Sequence, residues 1–137
     1  MRTTLGIVAG ILLALVVQSA VGLLGNLVYP PAISDMMNLE QVAAAMEARP
    51  AGALWIDVLG YFAGGLAGGL IGKRISGGAL GAWIPAGALA AMALAIAFNL
   101  PVPTWVMFST FAAPLAGGMI ANHLVKARVP ADTLPPA

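Results

Sequence analysis

Residues 51–72 read AGALWIDVLGYFAGGLAGGLIG. The stretch contains one charged side chain, Asp57. It is long enough to cross the roughly 30 Å hydrocarbon core of a bilayer as a helix. It also carries glycine at every fourth position, Gly60, Gly64, Gly68 and Gly72, with Gly65 and Gly69 beside them. Residues four apart share a helix face, and small residues there let two backbones approach closely in lipid. A membrane-crossing helix with a dense packing face is the expectation.

The same poverty of charge extends in both directions. No charged side chain lies between Arg2 and Asp35, and none between Arg74 and Lys126. Over all 137 residues the chain is 61% hydrophobic and 8% charged, where a soluble domain carries about 25% charged residues. The expected fold is an all-α membrane protein with four transmembrane helices, over about 5–29, 51–72, 79–99 and 104–124. Pro30-Pro31 stops the first, because a proline pushes the preceding residue out of helical geometry and lacks an N–H itself. Pro50 suits the start of the second. Lys73-Arg74 and Gly77-Gly78 are expected as the turn after it, and Asn99 to Pro103 as a rigid turn before the fourth. Residues 1–129 then form the bundle, and 130–137, with three prolines and one acid, are expected to be a disordered tail. Arg2 followed by Leu5 to Val17 has the shape of a signal peptide. The apolar run continues to Tyr29, however, and Gln18-Ser19-Ala20 puts glutamine where a cleavage site wants a small residue, so a retained first helix is expected.

Charge asymmetry sets the orientation. With four crossings, Arg2, Lys73, Arg74, Lys126 and Arg128 fall on one side and Arg49 on the other. The positive-inside bias places both termini in the cytoplasm. Tyr29, Trp55 and Trp105 are then expected at the outer interface and Trp83 towards the inner one. In the outer loop, Asn38 followed by Gln41 resembles a capping box, and Leu39, Val42, Ala43 and Met46 recur at helical spacing. A short amphipathic helix over about 38–48 is expected, lying on the membrane or across the bundle mouth. It serves either as a lid over helix ends or as a docking surface.

Three segments together resemble a known group. They are Gly25-Asn26-Leu27-Val28-Tyr29-Pro30-Pro31; Ala67-Gly68-Gly69 ahead of Arg74; and Asn99 to Trp105 with Pro114 and Gly117-Gly118. The chain is similar to an uncharacterised family of small bacterial four-helix membrane proteins, which read Tyr-Pro-Pro after helix one and Pro-x-x-Trp at the start of helix four. The resemblance implies the four-helix architecture and the bacterial inner membrane, and no activity. Family members often carry a histidine in helix two where this chain has Tyr61, so no role of that histidine carries over.

The functional candidates are few. The glycine row, Gly60, Gly64, Gly65, Gly68, Gly69 and Gly72, marks helix contact, within one chain or between chains. Asp57 is the one acid inside a crossing. About seven residues past Pro50 it lies roughly 10 Å along the helix, in the outer third, and it shares the glycine side. It is either a structural hydrogen-bonding acid, a proton or cation site, or a contact for a partner's basic group. His123, the single histidine, is expected near the opposite face, too far from Asp57 for an acid–base pair. Pro85 and Pro114 are expected to kink their helices, and Gln18 and Asn26 can bond across helices. With no cysteine, no nucleophile–base pair, no metal cluster and no phosphate loop, an enzyme is not expected, nor a cofactor, and no basic patch calls for nucleic acid. The expected function is a non-catalytic accessory or assembly subunit of a larger membrane complex, or a self-associating bundle, packing through the glycine row of helix two, with the lipid bilayer and other membrane subunits or copies of itself as partners. A small proton- or cation-coupled transporter using Asp57 is the alternative.

Overall fold

The structure, a computed structural model, describes residues 1–126, and among them it contains helices and no strand. The elements are α1 (Arg2–Val28), α2 (Leu39–Glu47), α3 (Ala51–Ser76), α4 (Leu80–Asn99) and α5 (Thr104–Leu124). Four of these, α1, α3, α4 and α5, are long and apolar enough to cross a membrane. The tail expected over 130–137, and Arg128, lie outside the described residues.

Two expectations at helix ends are corrected. The second crossing does not end at Gly72 with Lys73-Arg74 in a turn; α3 runs on to Ser76. Its stop is Gly77, which takes a left-handed backbone (φ 78°) and donates its N–H to the Lys73 carbonyl at 2.8 Å. Glycine adopts that conformation without a Cβ penalty, while Lys73 and Arg74 favour the negative end of the helix dipole. In the loop between α1 and α3, Asn38 does cap α2, its Oδ1 accepting from the Glu40 and Gln41 amides at 3.0 and 3.2 Å. The reciprocal half of the capping box is absent. Gln41 Oε1 instead accepts from Ser34 Oγ and the Asp35 amide, tying down the approach to α2 rather than the Asn38 N–H.

Helix α3 is the centre of the bundle: it packs against α1, α4 and α5, whereas α1 and α5 do not approach each other. The glycine row makes this possible, and all six of its members serve contacts within the chain. A Cβ added at Gly68 would stand 2.7 Å from Ala14 Cβ, and one at Gly64 2.7 Å from the Ala14 carbonyl oxygen. Both distances are well under van der Waals contact. Gly72 meets Gly6 of α1 and Gly81 of α4, while Gly60, more loosely, meets Val21 at 3.3 Å. Gly65 and Gly69 face the other way, onto Pro114, Gly118 and Ala121 of α5. The opposing helices have rows of their own, Gly6, Gly10 and Ala14 in α1 and Gly117, Gly118 and Ala121 in α5. Their spacing of three and four is the same signal as that of the α3 row. Pro85 and Pro114 lie fully buried inside α4 and α5, and a Cβ on Gly10 or Gly65 would run into them. The prolines therefore sit where a neighbouring helix supplies no side chain.

The least expected core member is Lys73, which is only 5% exposed. Its ammonium donates to Asn122 Oδ1 at 2.8 Å and to the Asn122 backbone carbonyl. That carbonyl belongs to the last turn of α5, where four C=O groups lack helical partners. A buried cation placed there satisfies an orphan acceptor and the helix dipole together. Lys73→Met would keep the volume but leave both acceptors facing a thioether. A cost of about 1–2 kcal/mol is expected from hydrogen bonds to a charged donor. Faster amide hydrogen exchange over Ala121 to Leu124 is the local readout, and unchanged exchange there would show that Lys73 is not the cap.

Candidate functional site

Most of the chain's polar side chains that are neither terminal nor fully exposed gather at the α2 end of the bundle. Arg49 follows α2 and precedes Pro50, the N-cap of α3. The extended backbone at Pro50 (ψ 151°) carries the chain from α2 into α3 beside the Arg49 side chain. Its Nη2 donates to Asp57 Oδ1 and to Asn26 Oδ1, each at 3.2 Å, and its Nη1 lies 3.8 Å from Met46 Sδ. One guanidinium thus joins the end of α1, the end of α2 and the second turn of α3. The ion-paired side chains are 18% and 21% exposed, between a surface pair and a buried one. Asp57 is therefore already partnered by a cation from its own chain. Eight residues separate the two in sequence, across a proline, so neither helical spacing nor charge runs pointed to the pair.

Beneath this pair lies a half-open cleft of about 180 Å³. Asp57, Tyr61 and Leu54 line it from α3, Gln18 from α1, and Thr110 from α5, while the remaining wall is apolar and comes chiefly from α4 and the start of α5. Asp57 and Tyr61 stand four residues apart on one face of α3, so the ion pair sits one turn above the phenol. Thr110 is buried and spends its hydroxyl proton on the Val106 carbonyl of its own helix at 2.8 Å. Trp55 and Trp105 meet at the same end, ring centroids 5.2 Å apart and tilted by 38°, within the range of favourable aromatic pairs.

Helix α2 is placed more loosely than its amphipathic pattern implies. Among the described residues, no Cα of α2 comes within 8 Å of a Cα in another helix. Val42, Ala43 and Met46 are half-buried, but Leu39 is 75% exposed and therefore not part of a covered face. Val42 lines a shallow groove opposite Met92 and Ile96 of α4, and Met46 lines the cleft. Arg49 is the polar tie that holds α2 to the bundle. The lone histidine, His123, lies at the far end of α5, the end where Lys73 meets Asn122, and takes no part in the cleft. No group of three or more His, Cys, Asp or Glu side chains is placed to hold a metal among the described residues.

No protein-family model, no curated protein and no solved structure matches this chain. What it does must be read from its own surfaces and cleft.

Proposed function

We propose that this is a non-catalytic, multi-pass protein of the bacterial inner membrane, both termini cytoplasmic, that works as an accessory or assembly subunit beside other membrane helices. The carrying observation is a pair of mid-helix glycines that the bundle leaves unused. A Cβ on Gly22 of α1 or Gly87 of α4 would meet nothing within 4 Å. Glycine inside a helix is about 1 kcal/mol worse than alanine, and every glycine of the α3 row has a packing partner to offset that. Gly22 and Gly87 have none among the described residues. Both open onto space outside the bundle, and Gly87 shares its face with two large exposed side chains three and four residues before it, Ile84 and Trp83. Such notches suit the close approach of a helix from another chain. The glycine row of α3 is already occupied by α1, α4 and α5, so association is assigned to these outer faces and not to that row.

The transport alternative rests on Asp57, and the Arg49 pair weighs against it: a carboxylate with a resident cation is a poor site for a second one. The test is extraction in gentle detergent at native expression, followed by native mass and subunit identification. Wild type is expected to carry stoichiometric partners, and Gly22→Leu or Gly87→Leu to lose them while the monomer keeps its helical content and unfolding midpoint. A stable wild-type monomer that brings no subunit with it would end the reading.

A further inference from the structure

The cleft under Arg49 contains polar groups that the fold does not use. Among the described residues neither the Tyr61 hydroxyl nor the Gln18 amide has a hydrogen-bond partner. Tyr61 as a whole is only 6% exposed, yet no fully buried side-chain polar atom is left unpaired. Its hydroxyl must therefore open onto the cleft that Tyr61 lines. A phenol at membrane depth with no partner is costly unless something polar comes to it. The neighbouring groups narrow what that is. Thr110 has spent its proton on Val106, so the donors left facing the deep end are the Tyr61 O–H and the Gln18 N–H groups. The charges above them pair, Arg49 with Asp57, which leaves the cleft no unpaired charge to hold an ion. The opposite wall is formed by Ala93 and Ile96 of α4 and Val106 of α5. The volume, about 180 Å³, slightly exceeds the ~150 Å³ apolar cavity that accommodates one benzene ring.

We infer that this cleft is a binding site for a neutral molecule with a head the size of one six-membered ring bearing a carbonyl oxygen. The ring lies against the α4 and α5 wall and its oxygen accepts from Tyr61 and Gln18. A quinone head is the membrane-borne form of that chemistry, and a small cyclic carbonyl compound is the water-borne form. The site belongs to the single chain, so its test is independent of whether the protein is an accessory subunit.

The probes are a fully substituted 1,4-benzoquinone without a tail, the same ring bearing a decyl chain, and decylbenzene. Each is titrated onto the detergent-purified protein by calorimetry, with fluorescence of the nearby Trp55–Trp105 pair as a second signal. Both quinones are expected to saturate at one per chain, and Tyr61→Phe and Gln18→Leu each to weaken them at least fivefold. Tighter binding of the decyl form assigns the ligand to the membrane, and equal binding assigns it to the water phase. Should Tyr61→Phe fail to fold, Gln18→Leu carries the test, because Gln18 makes no hydrogen bond that the bundle needs. Absence of saturation by either quinone, equal binding of decylbenzene, or unaltered affinity in the folded variants would each overturn the site.

Discussion

Gly65→Leu is expected to leave no folded bundle in mild detergent, and Gly65→Ala to lower stability by about 2–3 kcal/mol, the upper range for overpacking a well-packed interior. A Cβ at this position would lie 2.6 Å from Pro114 Cα and 2.8 Å from its carbonyl carbon. Carbon atoms rest at about 3.5–4.0 Å. The obstacle is backbone, and the position of a Cβ is set by its own backbone, so no change of rotamer relieves the clash. The helices must part by about 1 Å. That separation also loosens the neighbouring close contacts of Gly69 with Ala121 and Gly117 with Leu66, because α5 moves as a rigid rod. Gly60→Ala provides the internal contrast. There the added carbon would meet Val21 side-chain atoms at 3.3 Å, and a shift of a few tenths of an ångström suffices. Its packing cost is expected to be offset within about 1 kcal/mol by the better helix propensity of alanine. The measurement is the midpoint of denaturing-detergent unfolding, followed by tryptophan fluorescence and circular dichroism. A Gly65→Leu protein with the wild-type midpoint would show that α3 and α5 do not meet at this point.

The contrast between these glycines also explains what could be read from the sequence. Long apolar runs in lipid have few options, since every backbone polar group must be satisfied within the segment. The number of the long helices follows from that, whereas Asn38 as the start of α2 follows from a side-chain oxygen able to accept from the first free amides. A row of glycines on α3 says that a backbone comes close, but not whose. The answer depended on rows some fifty residues away in both directions, Gly6 to Ala14 and Gly117 to Ala121. Each is shorter and less regular than the α3 row. Lys73 was misplaced for a related reason. A lysine beside an arginine at the end of an apolar run ordinarily lies in the headgroup region, and only the tertiary placement of the α5 terminus makes burial favourable for it. The cleft was half legible. Asp57 stood out by its depth, whereas Tyr61 and Gln18 are ordinary residues until the fold brings them together without partners. The Arg49 pair was invisible, because the chain turns at Pro50 and local periodicity does not extend through a turn.

Arg49→Ala is expected to free α2 and to lower stability by about 2 kcal/mol, more than Asp57→Asn at about 1 kcal/mol. Both values lie between those for exposed ion pairs and for broken buried ones, as the 18% and 21% exposure of the pair requires. The asymmetry arises from what each side chain holds. Asparagine at 57 still offers an oxygen to Nη2, and Arg49 keeps Asn26 and Met46. Alanine at 49 removes all three ties at once and leaves the part-buried Asp57 carboxylate without its cation. Since α2 makes no close backbone contact with any other helix, hydrogen exchange over residues 38–48 is expected to rise at least tenfold in Arg49→Ala and to change little in Asp57→Asn. The double variant, having neither charge, is expected to cost less than the two singles together, by a coupling of about 1 kcal/mol. If the energies simply add and exchange over α2 is unaltered, Arg49 does not tie α2 to the bundle. Helix α2 is then held by the apolar contacts of Met46 at the cleft and Val42 at the α4 groove alone.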